Sequence, residues 1–115
     1  MAKTSMRGSC SFREAETILR NEIPECGLSC ELVEQACHCF GDVQVTVLVF
    51  EKYFMRVNNY ASLTLMLSGR DGDVCVDVIG AGGRQGMISI AWGAEENFVD
   101  SARKVLERHG FYEMA

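Results

Sequence analysis

The sequence predicts an α+β fold: a two-layer sandwich in which two helices cover one face of a mostly antiparallel meander sheet of about six strands. Two segments, at 12–23 and 95–106, carry apolar residues at helical spacing, whereas most of the chain between them alternates apolar and polar residues. Short turns join the alternating segments, and strands joined by short turns lie antiparallel. We therefore expect the order β-α-β-β-β-β-β-α within a single α+β domain that spans residues 1–115.

The first helix is predicted from the signals at its two ends. Residues 3–9 precede it as a weak first strand. Ser11 begins a capping box with Glu14, because the serine hydroxyl can accept a hydrogen bond from the Glu14 amide while the Glu14 carboxylate reaches back. Pro24 ends the helix, since the residue before a proline disfavours helical geometry, so the helix spans 12–23.

Five strands are predicted between the two helices. Turn signals separate them: Gly-Asp at 41–42, Asn-Asn at 58–59, and Asp-Gly at 71–72, which marks a tight hairpin. The strands lie at 28–40, 43–49, 61–67, 74–78 and 88–92.

The second helix is predicted near the C-terminal end of the sequence. Glu95 and Glu96 favour the positive end of a helix dipole, and the apolar stripe that follows extends to Leu106. Gly110 supplies a left-handed cap just beyond the helix.

Both faces of the predicted sheet carry apolar residues. We expect the helices to cover the face that holds Val43, Val45, Val47, Val49, Leu63, Leu65 and Leu67. The opposite parity, mixed with polar residues, holds Leu48, Phe50, Phe54, Met66, Cys75, Ile79 and Met87. Because large exposed apolar patches mark interfaces or ligand grooves, we predict that this second face, or the sheet edge beside it, forms a homodimer. The alternative is that strong coiling of the sheet wraps these side chains into the core.

Charge and composition exclude several classes of partner. The chain has a formal charge of −5, whereas nucleic-acid-binding domains usually carry a basic face and anionic membranes attract basic segments. We therefore expect no nucleic acid and no membrane as partners. We find no signal peptide, and the densest apolar run, at 43–50, is far shorter than the ~20 residues of a spanning helix. We expect a cytoplasmic protein whose six cysteines are reduced.

A stretch rich in cysteine and histidine raises the question of a metal. Cys26 and Cys30 precede Cys37-His38-Cys39, and thiolate and imidazole are the donors that zinc prefers. In one regular strand, Cys37 and Cys39 share a face, while His38 and Cys30 lie on the other. The spacing therefore favours small, half-buried packing residues over a metal or redox site, and we expect no metal and no cofactor.

The loop at 80–86 imitates the glycine-rich start of a dinucleotide-binding fold only superficially. Gln85 stands where the fingerprint requires its third glycine, and strand-like residues follow instead of a helix. Two interpretations remain. One is a bulged loop in which glycine supplies positive φ. The other is a nest in which Gly82, Gly83, Arg84 and Gln85 bind a small anionic ligand.

Catalysis finds little support in the sequence. A thiol-based enzyme would need Cys37, Cys39 or Cys75 as its nucleophile beside Asp77, and no base is positioned to activate them. We therefore predict no catalytic residues. Our leading hypothesis is a non-enzymatic domain that self-associates or binds a partner through its sheet, ahead of an anion-binding protein and a thiol-based enzyme.

Three motifs connect the chain with known sequences: Val49-Phe50-Glu51, the loop at 81–86, and the segment at 92–98 with its Trp-Gly-x-Glu-Glu helix start. On these motifs the chain resembles a small bacterial family of unknown function, whose members are single-domain cytosolic proteins, over nearly its whole length. The resemblance implies that the glycine loop and the start of the second helix are recurring parts, and that the cysteines are not. It implies no activity.

Overall fold

In the residues that the structure describes, one six-stranded antiparallel sheet packs against two helices, which confirms the predicted fold class. The computed structural model describes residues 2–55, 58–82 and 93–114. A short 3-10 turn at Pro24–Cys26 follows the first helix. The strands are β1 (Ala2–Gly8), β2 (Glu31–Phe40), β3 (Val43–Phe54), β4 (Asn59–Arg70), β5 (Asp73–Gly82) and β6 (Tyr112–Glu113), and the helices are α1 (Phe12–Glu22) and α2 (Ala94–Arg108).

The strands lie in the order β2-β3-β4-β5-β1-β6, and all neighbours are antiparallel. The four strands β2 to β5 form the predicted meander, and β1 pairs with β5 on its far side. The sequence did not predict β6, which pairs with β1 by placing Tyr112 opposite Arg7. The strand predicted at 88–92 lies outside the described residues. In the described part of the chain, β2 is therefore one outer edge of the sheet.

The start of α1 is fixed by two caps, one of which the sequence predicts. The Ser11 Oγ accepts a hydrogen bond from the Glu14 N–H at 3.1 Å, as expected. The turn between β4 and β5 adds the other cap, because the Phe12 N–H donates to Asp71 Oδ1 at 2.9 Å. This turn therefore holds the first turn of α1 against the sheet.

The two helices lie on the same face of the sheet, as predicted, and their C-terminal ends meet. Glu22 in α1 accepts a hydrogen bond from Arg108 Nη2 at 3.0 Å, and its other carboxylate oxygen is 2.7 Å from His109 Nε2. Gly110 adopts the predicted left-handed conformation, with φ of +88°. This turn sends the chain back to the sheet, where Phe111 is buried.

The core fills the space between the helices and one face of the sheet. The helices contact mainly β1, β4 and β5. The assignment of Leu63, Leu65 and Leu67 to the helix side is confirmed, since all three are fully buried. Other buried side chains of the core include Met6, Phe12, Leu19, Leu48, Phe50, Val74, Val76, Val78, Phe98, Val105 and Leu106.

The predicted face assignment is wrong for β3. Leu48 and Phe50 are fully buried, because Leu48 lies opposite Leu65 and Phe50 lies opposite Leu63 in the β3–β4 ladder. The valines of β3 have the other parity and are only half-buried on the face opposite the helices. Both parities of β3 are apolar, so alternation alone did not identify the buried one; the pairing with β4 decides it.

A bulge also corrects the predicted geometry of β2. The strand begins at Glu31 rather than at residue 28, and its register shifts between Leu32 and Glu34. Because a bulge inserts one extra residue, the faces exchange at that point. Cys30, which is buried in the core, therefore lies on the helix side together with Cys37, and its predicted placement beside His38 is wrong.

Candidate interaction surface

The outer side of β2 from Gln35 to Phe40 is an uncovered sheet edge, which we call the β2 edge. All six residues are exposed, and their only strand neighbour in the described part of the chain is β3. An edge strand carries backbone N–H and C=O groups that lack a ladder partner and can pair with another chain. The β2 edge is therefore a ready template for adding a strand.

Natural proteins usually protect such an edge with charges, proline or bulges, and here the protection is confined to one end of the strand. The residues from Gln35 to Phe40 include no Lys, Arg, Asp, Glu or Pro. Glu31 and Glu34 lie at the start of β2, and the bulge lies between Leu32 and Glu34. The C-terminal half of β2 therefore has no such protection.

The start of β2 is anchored to the rest of the molecule. Lys52 Nζ donates a hydrogen bond to the Cys26 carbonyl at 2.9 Å, and it lies 4.6 Å from the centre of the Phe54 ring. The Ser29 hydroxyl accepts a hydrogen bond from the Tyr53 N–H at 3.2 Å. These contacts hold the segment before β2 in place. The start of β2 is therefore anchored, and the rest of the strand is held by its pairing with β3.

Next to the β2 edge, the sheet face opposite the helices is largely apolar; we call it the open face. Val47 lies between Ala36 of β2 and Met66 of β4, and Met66 is 38% exposed. Phe40, at the end of the β2 edge, is 67% exposed. The open face also carries the half-buried Val43, Val45, Val49 and Ile79. A continuous apolar strip thus adjoins the uncovered edge.

The open face becomes polar on the side of β1. The Ser5 hydroxyl donates to Asp77 Oδ1 at 2.6 Å, and Arg7 holds Asp73 through two hydrogen bonds of 2.8 Å. The Arg7 guanidinium lowers the pKa of the Asp73 carboxyl, chiefly by hydrogen bonding to it. These groups satisfy one another, so the apolar side near β2 is the part of the face suited to contact another protein.

The predicted interface residues do not lie on one surface of the structure. Leu48 and Phe50 cannot contribute, because both are fully buried in the core. Phe54 is half-buried on the core side, where its ring centre is 6.1 Å from that of Phe98. Met66 lies on the open face, and Met87 lies outside the described residues.

The predicted anion nest lies mostly beyond the described residues. Gly82 ends β5 and pairs with Ala61, while Gly83, Arg84 and Gln85 lie outside the described residues. Gly80 has a packing role, since a Cβ at this position would be 2.7 Å from Val99 Cγ2. The binding of a small anionic ligand by the loop therefore stays a prediction.

The cysteines do not assemble a site within the described chain. All six are free; Cys37 and Cys39 share one face of β2, as predicted, but both are exposed, so the prediction that they are half-buried packing residues is wrong for this pair. Burial raises the pKa of the Cys30 thiol to about 11, and it also raises the pKa of Cys10 and Cys26, which disfavours their thiolate forms. The described residues contain no group of three side chains that could hold a metal ion.

The histidines are not arranged for nucleophilic catalysis in the described part of the chain. His109 contacts Glu22 at the meeting point of the helices, and His38 lies on the open face of β2, opposite Val45. Neither ring has a hydrogen bond to a serine or cysteine among the described residues, which an activated nucleophile requires.

Sequence reasoning missed a further exposed feature of the open face. The rings of Tyr53 and Tyr60 pack edge to face with their centres 5.1 Å apart, and the Tyr53 hydroxyl hydrogen-bonds Asn58. Tyr60 is 55% exposed. The predicted turn at 58–59 did not reveal this pair, because a hairpin centred there would set Tyr53 opposite Thr64, whereas the observed register sets it opposite Tyr60.

Comparisons with known proteins identify the family and add no activity. Among the described residues, no helix is long and apolar enough to cross a bilayer. No curated protein and no solved structure matches the chain. One family model, described as a family of unknown function (DUF6054), matches residues 1–110. The resemblance predicted from the sequence motifs is thus confirmed, and the chain belongs to this family of unknown function.

Proposed function

We propose that the protein is a non-enzymatic interaction module that forms a homodimer through the β2 edge and the adjoining apolar part of the open face. The observation that carries this proposal is the β2 edge itself: six consecutive exposed residues at the outer edge of the sheet, without a charged gatekeeper. A second copy of the chain would supply ladder partners for the β2 backbone groups that have none in the described sheet, and it would cover the exposed Phe40.

The distribution of charge supports self-association at this place. The chain has a net charge of −5, but screening at physiological salt confines repulsion to about 8 Å. Glu31 and Glu34 are the acidic residues of β2, and both lie at its start. Contact along the rest of the edge therefore brings no acidic pair of β2 together.

Two further observations support a role in binding rather than in catalysis. The buried thiols have raised pKa values, and the described histidine rings have no hydrogen bond to a serine or cysteine within the described residues. Six free cysteines are typical of a protein in a reducing compartment, so we propose that the protein is cytoplasmic.

Sedimentation velocity from low to high micromolar concentration tests the proposal. We expect the wild-type chain to sediment increasingly as a dimer. Ala36→Lys places a cation on the open face of the β2 edge and should shift the chain to a monomer. Asn21→Lys is the matched control, because it adds the same charge at an exposed position of α1, on the other side of the sheet, and should leave the dimer unchanged.

Each result has a definite meaning. A wild-type chain that stays monomeric over the whole range contradicts the proposal. A dimer that survives both Ala36→Lys and Met66→Lys also contradicts it, since neither the β2 edge nor the open face would then form the contact.

A further inference from the structure

We infer that two copies pair antiparallel along the β2 edge about a two-fold axis that passes between their Cys37 residues. This inference rests on the proposed function and specifies its geometry. The described sheets of the two copies would become one continuous sheet, with α1 and α2 of both copies on one side and both open faces on the other.

The acidic start of β2 favours the antiparallel direction. A parallel in-register pair would place the two Glu34 side chains on neighbouring strands, about 5 Å apart. In the antiparallel pair centred on Cys37, Glu34 lies opposite Phe40 of the second copy, and the two Glu34 residues are about 20 Å apart along the strands. This distance exceeds the screening length of about 8 Å, so their repulsion is removed.

Symmetry restricts the register further. A two-fold axis that relates antiparallel edges runs perpendicular to the sheet, so residues placed opposite each other must belong to the same face. Ala36 and His38 share the open face, and Gln35, Cys37 and Cys39 share the helix side. The axis must therefore pass through a residue position and cannot fall between two residues, which would set opposite faces against each other.

The two ends of the regularly paired part of β2 then place the two-fold axis at Cys37. The bulge ends regular pairing before Glu34, and β2 ends at Phe40, so the regular stretch spans 34–40. An axis at Cys37 pairs all seven of these residues with the second copy. An axis at Ala36 or at His38 pairs only five, because the remaining residues meet the bulge or the turn of the other chain.

This register also accounts for the exposed aromatic ring at the end of the strand. Phe40, 67% exposed in the single chain, would lie opposite Glu34 of the second copy and diagonal to its Ala36. Diagonal neighbours in an antiparallel sheet are within reach of an aromatic side chain. The ring would therefore cover the small side chain at that position.

The two exposed cysteines of β2 make the register measurable. Directly opposed residues of an antiparallel pair have Cα atoms about 4.5 to 5.5 Å apart, which lies within the range of about 4.4 to 6.8 Å that a disulfide spans. Cys37 would therefore link to Cys37 of the second copy. Cys39 would lie opposite Gln35, about 13 Å along the strand from its own equivalent, and could not link.

The experiment compares Cys39→Ser, which keeps Cys37, with Cys37→Ser, which keeps Cys39. Both thiols are exposed on the same face of the same strand, and the other four cysteines are common to both variants. Diamide is the oxidant: two thiols lose two electrons and two protons to its N=N bond and form one S–S bond. Because a thiol held in a dimer has an effective concentration far above that in bulk solution, we expect Cys39→Ser to form covalent dimer at least ~10 times faster than Cys37→Ser. Peptide mass spectrometry should identify the Cys37–Cys37 link.

Sedimentation of the reduced variants separates the failure of this inference from the failure of the proposed function. Dimers that cross-link equally slowly in both variants, or faster through Cys39, contradict the inferred register and leave self-association intact. Reduced chains that remain monomeric contradict both. Labelling of each variant with a thiol reagent, in the folded state and at a concentration where the chain is monomeric, compares the intrinsic reactivity of Cys37 with that of Cys39.

Discussion

Gly80 of β5 lies directly beneath Val99 of α2. A Cβ atom at position 80 would be 2.7 Å from Val99 Cγ2 and 2.8 Å from the carbonyl oxygen of Glu95. The absence of a side chain at this position therefore sets how closely the start of α2 approaches the sheet.

Gly80→Ala should destabilise the fold, because one of the two contacts is with helix backbone, which cannot move aside cheaply. Overpacking of this kind typically costs about 1 to 3 kcal/mol. Urea denaturation of the variant and of the wild type measures the loss. Gly110→Asn is the control: nothing lies within 4 Å of a Cβ there, and asparagine tolerates the left-handed backbone. Equal stability of Gly80→Ala and the wild type would contradict the close approach.

The burial of β3 is tested by two neighbouring residues. Leu48 is fully buried and Val47 is half-buried on the open face. Leu48→Ala should therefore lower the free energy of unfolding by about 2 to 5 kcal/mol, because it leaves a cavity in the core. Val47→Ala should cost about 1 kcal/mol or less. Denaturation at a concentration where the chain is monomeric compares the two variants. If Val47→Ala lowers the free energy of unfolding more than Leu48→Ala does, Val47 rather than Leu48 faces the core.

The helices, the meander and the turns at 41–42 and 71–72 were predictable because each depends on local sequence, whereas the predicted turn at 58–59 is wrong in part, since Asn59 is the first residue of β4. The α1 boundary at Glu22 falls one residue from the predicted end, where Pro24 disfavours a helix. The buried parity of β3 was not predictable, because Val47 and Leu48 are both apolar and only the register with β4 separates them. The bulge after Leu32 contains no glycine, so no residue type in the sequence would predict it.

Part of the candidate surface was also predictable. The parity of Met66 predicts its place on the exposed face, and the sequence also predicts the sheet edge as an alternative contact. The edge position of β2 in the described sheet depends on β1 pairing with β5, a contact between residues more than seventy positions apart, such as Ser5 and Asp77. Alternation within a strand contains no information about such a pairing.

Glu22 makes the stability of the fold depend on acid pH. Burial raises the pKa of this carboxyl, but hydrogen bonds from Arg108 and His109 outweigh that effect and leave the pKa lowered. A carboxyl with a lowered pKa in the folded state stabilises the fold above its unfolded pKa, about 4.3 for glutamate. That stabilisation is lost as the pH falls through the lower, folded pKa.

Glu22→Gln should therefore melt at a lower temperature than the wild type near neutral pH, and the difference should shrink as the solution is acidified. Thermal melts from pH 7 to pH 3 measure it, and the difference should be lost below the unfolded glutamate pKa of about 4.3. Glu25→Gln removes an exposed carboxylate nearby that has no ion pair within the described residues, and its difference from the wild type should stay flat. A difference for Glu22→Gln that grew on acidification would have the wrong sign for this contact.

Lys52 connects the core to the segment that precedes β2, and its contribution can be separated into packing and hydrogen bonding. Lys52→Met retains an unbranched chain over Phe54 but removes the hydrogen bond to the Cys26 carbonyl. The loss of one such bond should cost about 1 kcal/mol. Because Lys52 contacts this segment, amide hydrogen exchange should accelerate at 26–31 and remain unchanged in β5. Lys104→Met is the control, since it removes only a solvent-exposed ion pair with Asp100 on α2. Unchanged protection at 26–31 would mean that the Ser29 contacts with Tyr53 are sufficient to anchor the start of β2.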